Sequence, residues 1–156
     1  MAEKTERELA QANIAENRKA YHDYHILDEW EAGIVLLGTE VKSIREGRVN
    51  LRDSYARIEK GELWLCNVNV SAYSHRGYAD HEPMRQRKLL LRREEIRKLI
   101  GKTTEKGMTL VPLRLYFKNG RVKVAVGLAK GKKDYDKRET IKRREVDRET
   151  RAAIKS

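Results

Sequence analysis

Leu113–Val126, LRLYFKNGRVKVAV, decides the fold. Leu113, Leu115 and Phe117 alternate with Arg114, Tyr116 and Lys118. Asn119-Gly120 follows, the strongest short-range hairpin signal, because a tight hairpin turn needs positive φ at its central residues. Val122, Val124 and Val126 then alternate with Arg121, Lys123 and Ala125. Folding at a two-residue turn pairs 118 with 121, 117 with 122 and 116 with 123. This register predicts that all six apolar residues share one face. The opposite face carries Arg114, Lys118, Arg121 and Lys123 around Tyr116. From Lys106 to Lys133 there are eight Lys/Arg and no Asp or Glu. Four cations around an aromatic, with no anion nearby, suit a polyanion that also offers bases to stack on. The plainer reading is a solvated outer face whose lysines deter edge pairing. Solvated faces usually mix signs, and this stretch does not.

Outward from the hairpin, the pattern repeats. Tyr55–Val70 resembles a second hairpin across Lys60-Gly61, with Ala56, Ile58, Leu63 and Leu65 on one face. Apolar parity then shifts to Cys66, Val68 and Val70, which predicts a bulge around 65–66. Tyr24–Leu37 reads as one or two strands interrupted near Gly33, and Lys88–Leu91 as a short strand. Gly38-Thr39 caps a predicted helix through Glu46, with Val41 and Ile44 as its apolar stripe and Gly47 as its stop. A second predicted helix, Arg93–Ile100, puts Ile96, Leu99 and Ile100 on one face, with Gly101 just past its end. Ala72–Pro83 is polar and irregular, a predicted surface loop. Short strands with two tight hairpins and a few short helices imply a mainly β fold, a small closed or nearly closed antiparallel barrel. Strand faces alone do not separate an oligonucleotide-binding barrel from other small barrels.

The bulk numbers agree with one such domain. The chain has 156 residues, 38% of them charged, and a net charge of +11. Residues 1–80 hold 11 basic and 14 acidic side chains, and residues 81–156 hold 24 and 10. That asymmetry points to an anionic partner, nucleic acid or an acidic membrane surface. No apolar run approaches the roughly 18 residues of a membrane span, and the first residues lack a signal core, so a cytoplasmic protein is expected. One cysteine, Cys66, excludes an internal disulfide. Residues 1–16 read as a flexible lead-in with some helical tendency, 17–133 as the barrel. Residues 134–156 hold eight basic and six acidic side chains but few apolar ones, and read as a flexible basic tail, disordered alone and helical on a polyanionic partner.

No spacing in the chain is specific to an enzyme. His22 and His25 near Asp23 and Asp28 lack the three or four spaced ligands of a zinc site. Asp28, Glu29 and Glu31 are candidate magnesium ligands of a nuclease. His75 and His81 sit in the polar loop and read as surface residues. Cys66 lies in an apolar strand and reads as core. Residues 127–133, GLAKGKK, lack the spacing and the Ser/Thr of a phosphate-binding loop. No catalytic residue, metal or cofactor is expected.

NRKAYHDY (17–24), EWEAGIVLLGTEVKSIREG (29–47), NLRDSYA (50–56), RKLLL (87–91) and GLAKGKKDYDKR (127–138) resemble, in order, the SsrA-binding protein family, small protein B. The resemblance implies an oligonucleotide-binding-type barrel and a non-enzymatic adaptor. The adaptor clamps the tRNA-like domain of transfer-messenger RNA and enters the empty A site of a stalled ribosome. It also implies contact with the elongation factor that delivers aminoacyl-tRNA, and no membrane. Carried over from the family, the RNA surface comprises Asn17, Arg18, Tyr24, Glu31, Leu90 and Lys123, extended by Lys130, Lys132 and Lys133; Lys19 beside Arg18 and Arg121 of the cationic hairpin face are expected to join it. Cations there neutralise phosphates, and Tyr24 and Leu90 pack on bases or riboses. Glu31 accepts from a base amino group or a 2′-hydroxyl. Without the family, Glu31 is equally a structural acceptor, and Tyr24 and Leu90 are ordinary barrel residues. Tyr135, Asp136, Lys137 and Arg138 match the block that meets the small-subunit decoding centre, with the following helix in the mRNA channel. Two rivals remain on the residues alone: a structural rRNA-binding protein of ribosomal type, and the nuclease.

Overall fold

The computed structural model describes residues 13–72, 81–105 and 107–132. Its strands are β1 (Asn13–Glu16), β2 (Tyr24–Ile34), β3 (Val49–Asn50), β4 (Tyr55–Glu59), β5 (Glu62–Cys66), β6 (Asn69–Val70), β7 (Arg87–Leu90), β8 (Met108–Lys118) and β9 (Arg121–Gly131). Its helices are α1 (Arg18–Asp23), α2 (Gly38–Arg45) and α3 (Arg93–Thr103).

The β8–β9 hairpin forms in the expected register, with Lys118 opposite Arg121, Phe117 opposite Val122 and Tyr116 opposite Lys123. Asn119 (φ 52°) and Gly120 (φ 74°) both take the left-handed conformation the turn demands. One residue breaks the alternation. The register shifts between Pro112 and Arg114, so Leu113 is the extra residue of a bulge. Leu115, Phe117, Val122, Val124 and Val126 face the core cluster, but Leu113 turns to the other side of the sheet. It lies over Gly127, where an added Cβ would come within 2.8 Å of Leu113 Cδ1. Gly127 therefore gives Leu113 its space.

Hydrogen bonding runs β8-β4-β5-β7-β2-β9 and returns from β9 to β8. The strands close into an antiparallel ring, which removes the exposed edges of an open sheet. Ala32, Leu63, Leu65, Leu89, Leu110, Leu115, Val124 and Val126 fill it, and Ile44 of α2 and Leu99 of α3 join the same cluster. Trp30 packs against this core at half-burial, with Lys102 Nζ of α3 5.2 Å from its ring centroid.

Several expectations need correction. Asn13–Glu16 form β1 along the Arg114–Tyr116 stretch of β8 that β4 leaves unpaired, so this part of the expected lead-in is folded. β2 is continuous through Gly33, and its irregularity falls between Ile26 and Asp28. α2 is preceded by Leu37, whose backbone N–H donates to Glu40 Oε1 at 2.8 Å, so Gly38 is its first residue rather than its cap. Gly47 (φ 75°) ends it as expected. α3 continues through Gly101 to Thr103. The parity shift after Leu65 is no bulge. β5 ends at Cys66, Asn67 takes φ 62°, and β6 turns away to pair with β3. Most of the 72–83 loop lies outside the described residues. His81 is buried, its Nε2 2.9 Å from Val70 O and its Nδ1 2.9 Å from Thr39 Oγ1.

Sequence patterning also gave no sign of a buried ion cluster. Glu40 and Arg87 are buried and ion-paired, and Arg85 Nη2 adds a contact to Glu40 at 2.6 Å. Arg87 Nη1 donates to Val68 O and Arg85 O, and Nη2 to Pro83 O. One guanidinium thus ties α2 to the 82–87 segment and to the β5–β6 connection.

Candidate nucleic-acid interface

The outer face of β2–β9–β8 is one continuous surface. Alternation along β2, corrected for its bulge, points Tyr24, Ile26, Glu29, Glu31 and Gly33 outward. Their β9 neighbours are Gly131, Ala129, Gly127, Ala125 and Lys123. β8 adds Val111, Leu113, Arg114, Tyr116 and Lys118. At one end α1 lies on this face, with Ala20 packed among Val111, Leu113, Ala125 and Ala129, and Tyr24 and Ile26 alongside. Asn17 caps α1, its Oδ1 accepting from Ala20 N at 3.2 Å.

The small residues of β9 determine what happens beyond α1. Side chains on β2 and β8 are two strand spacings apart, about 9.6 Å. Over Ala125 only a methyl group stands between them, and over Gly127 the one side chain that reaches across is Leu113 of β8 itself. Glu29 and Arg114 meet in a two-pronged ion pair at 3.0 and 3.2 Å. Tyr116 OH donates to Glu31 Oε2 at 2.7 Å, and Lys118 Nζ approaches both Glu31 oxygens at 3.1 and 3.3 Å. The expectation of a face without nearby anions is therefore overturned. The anions come from β2, a strand far away in sequence. The Tyr116 hydrogen bond and the Lys118 charge hold the Glu31 carboxyl below its ordinary value, although partial burial opposes them. Burial and the bond to Glu31 push the Tyr116 phenol up. Glu31 is thus a fixed carboxylate, and Tyr116 a fixed donor.

One row crosses the face: Leu90 of β7, Gly33 of β2, Lys123 of β9 and Tyr116 of β8 are successive cross-strand neighbours. Leu90 is half-exposed, and Gly33 has no side chain, so an open groove runs between Leu90 and Lys123, bordered by Glu31 and by Arg92, Glu94 and Lys98 of α3 and its approach. An apolar wall, a cation, a carboxylate and a flat glycine floor can receive an unstacked base and its phosphate.

The structure brings Tyr24, Glu31, Leu90, Arg121 and Lys123 onto or beside this face. Arg18 and Lys19 are exposed on α1, with Lys19 Nζ 2.5 Å from Asp53 Oδ1. Lys130 is exposed near the far end of β9, opposite His25. Lys132 Nζ donates to Tyr21 O at 3.1 Å. Asn17 is different. It is buried, its Nδ2 donates to Pro112 O at 2.9 Å, and its role here is to anchor α1 to β8. Lys133, Tyr135, Asp136, Lys137 and Arg138 lie outside the described residues. Sequence reasoning passed over Arg114 and Tyr116 as site residues, although it placed them on this face. It missed Glu29 as their neighbour, because only the β2–β9 register shows that the three meet.

The carboxylates behind the nuclease reading do not converge. Asp28 pairs with Lys102 at 3.4 Å, Glu29 with Arg114, and Glu31 with Tyr116 and Lys118. Among the described residues no group of three His, Cys, Asp or Glu is placed to hold a metal ion, and no helix is long and apolar enough to cross a membrane.

Ring and face together define a small nucleic-acid-binding type of β-barrel. Residues 14–156 match the family model described as SmpB protein. An SsrA-binding protein of Carboxydothermus hydrogenoformans is 63% identical over 143 residues, 92% of this chain and 96% of the relative. One of Syntrophobacter fumaroxidans is 62% identical over 87% of this chain and 84% of its own. A solved chain from work described as "tmRNA-SmpB: a journey to the center of the bacterial ribosome" superposes with a TM-score of 0.67 at 50% identity, covering 83% of this chain and 95% of its own. The chain belongs to the SmpB, or SsrA-binding protein, family.

Proposed function

We propose that this chain is the RNA-binding adaptor of ribosome rescue, a cytoplasmic protein that acts by binding rather than by chemical catalysis. Its barrel holds the tRNA-like domain of transfer-messenger RNA and accompanies it into the vacant A site of a stalled ribosome, where incomplete proteins are tagged. The elongation factor that delivers aminoacyl-tRNA is a further partner. Residues 134–156 meet the decoding centre and probe the mRNA channel, which admits them only when no message fills it. The observation that carries this reading is the Leu90–Gly33–Lys123–Tyr116 row with Glu31 beside it, in a chain 63% identical to an SsrA-binding protein.

Lys123 provides the test. It sits at the centre of the row, partly exposed, and the core does not depend on its ammonium. Lys123→Ala should weaken binding of the tRNA-like RNA and lower the salt slope by about 0.7–0.9, one phosphate contact. Its denaturation midpoint should stay at the wild-type value. Unchanged RNA affinity would place the RNA elsewhere on the molecule.

A further inference from the structure

We propose that Arg114 is a phosphodiester site of this face, and that Glu29 occupies it in the free protein. The inference rests on the RNA-binding reading above and adds a residue and an exchange to it.

The geometry has the features of a phosphate site. Arg114 presents Nη1 and Nη2 together to the two oxygens of Glu29, at 3.2 and 3.0 Å. A guanidinium grips a phosphate with the same parallel pair of N–H bonds. A carboxylate on a flexible side chain is thus an internal stand-in for two phosphate oxygens. The arginine is also steadied from a second side. Its Cζ lies 5.8 Å from the Tyr116 ring centroid, and Tyr116 is in turn tied to Glu31. Release of Glu29 therefore leaves the guanidinium oriented rather than loose.

The pair can also be exchanged. Side-chain exposures are 31% for Arg114 and 47% for Glu29, so water already reaches both. Exposed ion pairs hold weakly, and a multivalent polyanion outcompetes them. The fold does not lean on the pair, because the strand ladders and the Leu113–Gly127 contact run beneath it. Its position fits as well. Arg114 and Ala125 are cross-strand neighbours, one row from Tyr116 and Lys123, so an RNA strand seated on Lys123 passes within reach of Arg114. Glu16 of β1, the cross-strand neighbour on the other side, is engaged by Asn13 Nδ2 at 2.6 Å. The binding step is then an exchange: the guanidinium releases the Glu29 carboxylate to water and takes a phosphodiester.

The experiment measures binding of transcribed tRNA-like RNA by Glu29→Gln, Arg114→Gln and the double variant across a salt series. Glu29→Gln should bind about two- to five-fold tighter, the range that loss of an exposed ion pair allows. Arg114→Gln should bind more weakly, with a salt slope lower by about 0.7–0.9. Added to Arg114→Gln, Glu29→Gln should change nothing. Binding by Glu29→Gln at or below wild-type strength overturns the proposal, as does an unchanged slope in Arg114→Gln. A gain from Glu29→Gln that persists without Arg114 makes Glu29 a general repellent and overturns the site. Failure of the wild-type chain to bind this RNA sinks the functional reading instead, which keeps the two failures apart.

Discussion

Glu40 shows what a single residue does for the architecture while lying apart from the outer β2–β9–β8 face. Burial alone would raise its carboxyl pKa, but hydrogen bonds from Arg85, from the Leu37 backbone and from Arg87 outweigh burial and hold the carboxyl below its ordinary value of 4.5. Burial also pulls the Arg87 guanidinium down, from a starting point so high that it stays charged. The pair is therefore ionised in the folded state. Removing one partner leaves the other charged and dry. Glu40→Ala should cost about 3–5 kcal/mol in urea denaturation, because Arg87 keeps its charge without a counter-ion. The same carboxyl sets a pH dependence. A depressed folded-state pKa contributes stability that is fully present above the unfolded value of about 4.5 and is lost as pH falls through the folded value. The denaturation midpoint of the wild-type chain should fall more steeply below pH 4.5 than that of Glu40→Ala. Parallel profiles would show that other carboxyls carry the acid sensitivity.

At the level of strands and helices, local chemistry decided what could be read in advance. Both tight hairpins were legible because Asn119-Gly120 and Lys60-Gly61 supply the positive φ their turns need, at 52° and 74°, and at 51° and 76°. The stripe residues Ile44 and Leu99 marked both longer helices. The Leu113 bulge was invisible, since an apolar residue continues the alternation whichever way it points. β1 was too short and polar to show a period; its pairing with β8 alone makes it a strand. Gly33 read as a break because glycine weakens strands, whereas its neighbours on both sides hold it in the sheet. Gly101 was misread for a related reason: glycine commonly marks a helix end, but here the helix runs on. Its φ is not positive, and an added Cβ would meet nothing within 4 Å. Gly101→Ala should therefore stabilise the protein by about 0.5–1 kcal/mol, by removing backbone freedom from the unfolded chain. A loss of stability in thermal or urea unfolding would mean that the last turn of α3 needs glycine.

Across the whole molecule, the candidate site was legible as a set of residues but not as a surface. Tyr24, Glu31, Leu90 and Lys123 are scattered over most of the chain, and ring closure through β9 gathers them. Every described strand ends by Gly131, and Lys132 is fastened back by its N–H to Asp23 O at 2.9 Å and its Nζ to Tyr21 O. A chain truncated after Lys133 therefore keeps the full ring, the core and the outer face. Electrostatics gives the same answer. Residues 134–156 hold eight basic and six acidic side chains, so truncation removes two of the eleven net positive charges. The long-range field that draws in a polyanion is left nearly intact. The truncated chain should unfold at the wild-type denaturant concentration and bind the tRNA-like RNA within about two- to three-fold of wild type, with nearly the same salt slope. If the proposed division of labour holds, with residues 134–156 reading the vacant channel, peptide tagging on stalled ribosomes should collapse. If truncation abolishes RNA binding while the barrel still unfolds normally, the removed segment is part of the RNA grip. If tagging survives, recognition of the vacant channel must lie in the barrel, and the division of labour between ring and tail is wrong.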